Sequence, residues 1–307
     1  MNTPAVPSLA FRADDHGDKV TTSVVIPCYL SLSTLKELIS SLAQQIDAPR
    51  FEVVLVDNGP TPGLQELANA NKALLDITLV MATQGTGTAY ARNVGIRSAS
   101  GSNILLVDHD DTVEQQYVRA MTNALKEHQF VCAKLDLKAL NPPYFLNPPF
   151  DQYQQTEVTR FPGGNPVPFA SGGTLGFRRE VYVKVGPFAE DVPYCDDIDF
   201  CIRAHMAGVP LKFVPDAVLN YRLRKGVRKT FLQRLNWGRA EVLVFKKYAA
   251  TAGLSAPALS EQLLSWRALF RRAPWIRFDW GRMWLATYGG NRVGRLIGSI
   301  LYLCFFL

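Results

Sequence analysis

Short apolar runs and longer amphipathic stretches alternate along the first half of the chain. Residues 23–27 (S-V-V-I-P), 51–56 (F-E-V-V-L-V), 77–81 and 104–107 are brief runs bounded by turn residues. That is the pattern of strands buried on both faces of a parallel sheet. Between the first two, Leu35, Leu38, Ile39 and Leu42 recur at helical spacing. They predict a helix over 31–45, with Thr34 and Glu37 as a capping box. Further helices are predicted over about 64–75 and 89–99, the latter opened by the glycine loop Gln84-Gly85-Thr86-Gly87-Thr88. Such alternation predicts an α/β fold with a doubly wound, mostly parallel sheet. A helix at 114–127 and a strand at 130–136 continue it. The rhythm then breaks: residues 141–168 hold seven prolines and read as a long ordered loop facing substrate. A helix after Tyr194, short strands at 211–214 and 217–221, and a helix over 229–248 follow.

Composition divides the chain. Its 307 residues, 48% hydrophobic and 20% charged, suit one large α/β domain with an appendage, or two modest domains, rather than disorder. Residues 1–221 carry 17 Lys/Arg against 24 Asp/Glu, whereas residues 222–307 carry 16 against 3 and all five tryptophans. An acidic front therefore precedes a basic, aromatic tail. The tail admits three readings: an anionic bilayer surface, packing on the catalytic domain beside a solvated basic face, or nucleic acid. Nothing resembles a base-reading module, so no nucleic-acid partner is expected. Five scattered cysteines without a C-x-x-C pair suggest reduced thiols and a cytoplasmic setting, peripheral to the inner membrane face if the tail binds lipid. Residues 1–20 read as a flexible leader without a secretory signal's layout.

Two acidic clusters carry candidate chemistry. Asp108, Asp110 and Asp111 follow the run at 104–107, where open α/β sheets bind ligands. Their oxygens suit a hard divalent ion, Mg²⁺ or Mn²⁺, though an Asp-Asp-Thr after a strand also suits helix capping. Asp196, Asp197 and Asp199 precede a helix. The helix dipole accounts comfortably for one such acid and less well for three.

Seven elements stand in order over residues 22–250: S-V-V-I-P-C-Y at 23–29, Asp57, G-T-A-Y-A-R-N-V-G at 87–95, V-D-H-D-D at 107–111, S-G-G-T-L-G-F-R-R-E at 171–180, D-D-I-D-F-C-I-R at 196–203 and V-P-D-A-V at 214–218. In this order they resemble the family-2 glycosyltransferases. The resemblance implies the GT-A fold and a hexosyltransferase-type enzyme moving sugar from a nucleotide-diphosphate donor, by family habit a UDP-sugar, to a glycan or lipid-linked acceptor. It implies a GT-A domain over 21–250, with a nucleotide-sugar half to about 115 and an acceptor half beyond, before a helical tail at 251–307. Pro27, Tyr29, Asp57, Arg92, Asn93 and Asp108 would bind donor. Asp110 and Asp108 would hold Mg²⁺ or Mn²⁺, Gly172 and Gly173 would lie on the acceptor side, and Asp197, or else Asp196, would be the catalytic base of an inverting displacement.

The chain has Asp196-Asp197 where the family often has Glu-Asp. It also has Asn220-Tyr221-Arg222 where many members carry a metal-binding histidine. His109 is expected to point away from the metal. Two rivals stand beside this reading: a haloacid-dehalogenase-like phosphatase, from L-L-V-D-H-D-D-T-V, and a catalytically silent sugar-nucleotide-binding scaffold.

Overall fold

A computed structural model describes residues 20–143, 154–163 and 166–306. The expected leader falls outside these residues, as does part of the proline-rich loop. Strands β1 (Thr22–Cys28), β2 (Phe51–Asp57), β3 (Asp76–Met81) and β4 (Asn103–Leu106) alternate with helices α1 (Leu32–Ala43), α2 (Leu64–Asn71) and α3 (Thr88–Ser98). There follow β5 (Thr112–Val113), α4 (Tyr117–Glu127), β6 (Phe130–Asp136), β7 (Thr159–Arg160), β8 (Pro168–Phe169), β9 (Leu175–Arg178), α5 (Arg179–Val185), α6 (Asp196–Met206) and β10 (Leu211–Asn220). Helices α7 (Val227–Tyr248), α8 (Leu259–Arg271) and α9 (Asp279–Leu301) complete the chain.

Eight strands form one sheet in the order β3-β2-β1-β4-β9-β6-β10-β5. Most neighbours are parallel, but β9 runs antiparallel between β4 and β6, and β5 pairs antiparallel with β10. The chain winds outward from β1 to β3, then returns to place β4 on the other side of β1. Ligand clefts form at such switch points, outside the carboxyl ends of the strands. Alternation along β1 sends Val24 and Ile26 to one apolar layer and Val25 to the other. The sheet is thus buried on both faces, as its unbroken apolar runs predict.

Three expectations need correction. The capping box does not form: α1 begins at Leu32, Thr34 pairs with the Ser31 hydroxyl at 2.7 Å, and Glu37 reaches Arg222. The helix expected from 114 starts at Tyr117, because Thr112 and Val113 pair with Asn220 and Leu219. The runs at 211–214 and 217–221 are one strand, β10, with a bulge between Val214 and Val218. The sheet itself is mostly parallel, as expected.

The tail packs in part on the α/β body. Helices α7 and α9 run parallel, with Gly290 against Phe231, Gly294 against Leu235, and Gly298 against Arg239 and Val242. Phe306 is fully buried, stacked on Phe161 and Phe245. A Cβ at Gly294 would strike the Leu235 carbonyl. Gly294→Ala is therefore expected to cost about 1–3 kcal/mol through overpacking, despite alanine's better helix propensity. Urea denaturation measures it.

Candidate active site

Two adjoining cavities open at the carboxyl ends of β1 and β4. The first, about 430 Å³, is lined by Pro27, Tyr29, Asn58, Gly87, His109 and Arg224, among others. The second, about 470 Å³, takes in Arg92, Asp196, Asp197, Lys229, Gln233 and Trp237. Thr88, Asp108, Asp110 and Arg224 belong to both.

Arg92 joins the two acidic clusters. From α3 its guanidinium donates to Asp108 at 3.0 Å and to Asp196 at 2.7 Å. Only 4% of its side chain is exposed. A Cβ at Gly172 would collide with that guanidinium, and one at Gly173 would come within 2.8 Å of the Asp108 carboxylate. The two glycines thus act by absence: they leave room for the bridge beneath the second cavity.

Asp197 stands differently from Asp196. Its oxygens accept the backbone N–H groups of Gly172 and Ile198, each at 2.8 Å, and no cation lies within ion-pairing distance among the described residues. Burial and the neighbouring Asp196 charge push its pKa up to about 7, against the opposing pull of Arg92 and the two N–H groups. Burial also raises Asp196, with Arg92 opposing. Asp110 is raised by burial and by Asp108, with His109 and Arg224 opposing. Burial drives the Cys28 thiol, on the wall of the first cavity, up to about 12, so it is no nucleophile near neutrality.

Some expected residues stay out of the cleft. Asn93 is buried: its amide nitrogen donates to the Phe188 carbonyl and to Glu190, and its oxygen accepts from Phe188 N and the Tyr182 hydroxyl. It ties α3 to the 188–190 segment and lines neither cavity. Asp57 is also buried, its carboxylate taken by Gly59 N and by the Thr61 amide and hydroxyl. The cavity wall at this point is Asn58. Its side chain donates to the Ala82 and Gly85 carbonyls and accepts from Gly87 N, shaping the glycine loop. The His109 ring sits 3.1 Å from the Pro27 carbonyl and lines the first cavity.

Sequence reasoning missed the far wall of the second cavity. Arg224, Lys229, Gln233 and Trp237 arrive from the start of the basic tail, with the Arg234 guanidinium 4.5 Å over the Trp237 ring. Tyr194 joins them at φ 71, a strained conformation for a bulky residue and of the kind that clusters at functional sites. The only sequence signal was the basic run from Arg222 to Lys229.

The Glycosyl transferase family 2 pattern matches residues 23–186, more than half of the chain. The chain belongs to glycosyl transferase family 2. Among curated members, it is 30% identical over 122 residues to the poly(ribitol-phosphate) beta-N-acetylglucosaminyltransferase TarS of Staphylococcus aureus, covering 39% of this chain and 21% of TarS. It is 25% identical over 205 residues to glycosyltransferase AglE of Haloferax volcanii, covering 64% and 65%. The chain thus spans about a fifth of TarS. Solved structures share the fold. S. aureus TarS 1-349 in complex with UDP has a TM-score of 0.53 at 18% identity, covering 94% of this chain and 93% of that one. The mannosyltransferase PcManGT of Pyrobaculum calidifontis, in complex with GDP-Man and Mn²⁺, has 0.56 at 18%, covering 90% and 86%. The expected GT-A architecture is therefore present in this family-2 chain.

Among the described residues no group of three or more His, Cys, Asp or Glu side chains is arranged to hold a metal ion. Asp108 and Asp110 nevertheless share the wall between the cavities, and burial and the Asp108 charge raise the cost of ionising Asp110. A divalent cation would offset that cost. Two carboxylates completed by phosphate oxygens and water is how Mg²⁺ commonly binds at phosphate sites. The pair fits such an ion.

Proposed function

We propose that this protein is a glycosyltransferase that moves a sugar from a nucleotide-diphosphate donor, a UDP-sugar, to a hydroxyl of a glycan or lipid-linked acceptor. The observation that carries this reading is the Arg92 bridge, which holds Asp108 and Asp196 on one cleft where two cavities meet. The solved relatives bound to UDP, UDP-GlcNAc or GDP-Man support a nucleotide-sugar donor.

In this reading the donor occupies the first cavity. Pro27 and the exposed Tyr29 ring flank the base, and Asn58 holds the glycine loop beneath it. Arg224 provides positive charge on the diphosphate side. Asp108 and Asp110 would hold Mg²⁺ or Mn²⁺, which when bound neutralises charge growing on the departing nucleoside diphosphate. The acceptor occupies the second cavity, with Trp237 and Tyr194 as apolar walls. Asp197 takes the proton from its hydroxyl: it lacks a cationic partner, and its pKa near 7 suits a general base. Asp196 is clamped by Arg92 and positions rather than accepts. A single displacement inverts the anomeric centre.

The phosphatase alternative needs a free nucleophilic aspartate, whereas Asp108 is tied to Arg92. A thermal-shift screen of nucleotide sugars with and without Mn²⁺ tests the proposal. A donor that binds the native state raises the midpoint; that rise is expected with Mn²⁺ and is lost in Asp110→Ala. Binding without donor turnover would favour the silent scaffold. Phosphate release from a simple monoester would overturn both.

A further inference from the structure

We propose that α8 and the adjoining turn at 273–277 form a docking face for an anionic phospholipid bilayer, set beside the second cavity. At helical spacing, Leu259, Leu263, Trp266 and Phe270 share one stripe of α8. Leu259, Leu263 and Phe270 are exposed, Phe270 at 70%, and only Gln262 on this helix is buried. Ile276, at 63%, and Phe278 extend the apolar surface beyond the helix end. This much unpartnered apolar side chain is unusual for a helix facing water alone.

Apart from Glu261 in the first turn of α8, the charge beside the stripe is positive. Arg267, Arg271 and Arg272 line a cavity of about 540 Å³ with Leu264, Ala268 and Trp275. Arg272 sits 5.1 Å from both the Trp275 and Trp284 rings. Asp279 is engaged by Arg282 and Glu241 by Arg295. Arg267 and Arg271 have no carboxylate partner among the described residues. An apolar stripe edged by unpaired arginines and backed by clustered tryptophans complements lipid phosphates above an acyl layer. A purely apolar partner would leave those guanidinium groups desolvated and unpaired.

The placement gives the face a purpose. Because Gly290 lies level with Phe231 on the parallel α7, Trp284 sits between one and two turns further toward the N-terminal end of α7. From that end Lys229, Leu232 and Gln233 line the second cavity. A bilayer on this face would lie near the entrance used by the acceptor. No helix among the described residues is long and apolar enough to cross a membrane, so attachment here is by surface contact.

Co-sedimentation of the full chain with vesicles tests the face, using phosphatidylcholine alone and an equimolar mixture with phosphatidylglycerol. The expected result is binding to the mixed vesicles, weakened about tenfold or more by Arg267→Glu/Arg271→Glu and by Leu263→Ser/Phe270→Ser. Both variants should keep the donor-dependent thermal shift, which shows that they fold. Absent binding to the mixed vesicles, or equal binding to both compositions, would overturn the proposal. So would a wild-type dimer that Leu263→Ser/Phe270→Ser dissociates, since a second copy would then cover the stripe. Vesicle binding needs no catalysis, so its failure is separable from failure of the sugar-transfer reading.

Discussion

Asp197→Asn is expected to lower kcat for sugar transfer by about two to four orders of magnitude, the usual contribution of a positioned base. Asparagine keeps the size of the side chain, but its single oxygen can accept only one of the Gly172 and Ile198 amides, which bind separate carboxylate oxygens. Asp197 lines the second cavity and not the first, so donor binding, read by thermal shift, should survive. Wild-type activity should climb as pH rises through about 7, where Asp197 gives up its proton, and the variant should lose that limb. The stability effect runs the other way. A carboxyl whose pKa is higher folded than unfolded binds more protons in the native state, so stability falls as pH rises from the ordinary carboxylate range to about 7. Asp197→Asn should lack this fall, so its stability relative to wild type should improve as pH rises to about 7. A variant as active as wild type would remove Asp197 from the mechanism.

The second large effect concerns the bridge. Arg92→Met leaves Asp196 buried without its cation, and breaking a buried ion pair on one side costs about 3–5 kcal/mol. Burial already holds the Asp196 pKa up, and losing Arg92 removes what opposes that rise. The cost should therefore shrink at mildly acidic pH, where Asp196 can protonate, and grow as pH increases. Urea denaturation at two pH values reads this directly; equal stability of variant and wild type would contradict the bridge.

Regular elements were the most legible part of the chain. Phe51–Asp57 and Phe130–Asp136 are buried strands whose apolar runs announce them. By contrast, β10 looked like two strands because Pro215 and Asp216 fall at its bulge. The two residues of β5 are too few for any periodicity to register. The acids at Asp108 and Asp196 could be read because unlike charges are needed to hold like ones together, and Arg92 supplies that need. What sequence could not tell was direction. Arg92 and Asn93 are neighbours on one helix, about 100° apart around its axis, and only the first faces the cleft. At Asp57 the carboxylate folds back onto its own turn, leaving Asn58 to face the cavity. Trp237 and Lys229 read as tail because their role depends on where α7 is laid across the sheet, which no local pattern encodes.

One guanidinium spanning two carboxylates also makes the halves of the cleft thermodynamically answerable to each other. Whatever occupies Asp108 weakens or strengthens the hold of Arg92 on Asp196, and reciprocity requires the same factor in reverse. Nucleotide-sugar affinity measured with and without acceptor should thus differ by the ratio that separates acceptor affinity with and without nucleotide sugar. Methionine at position 92 should bring that ratio to one.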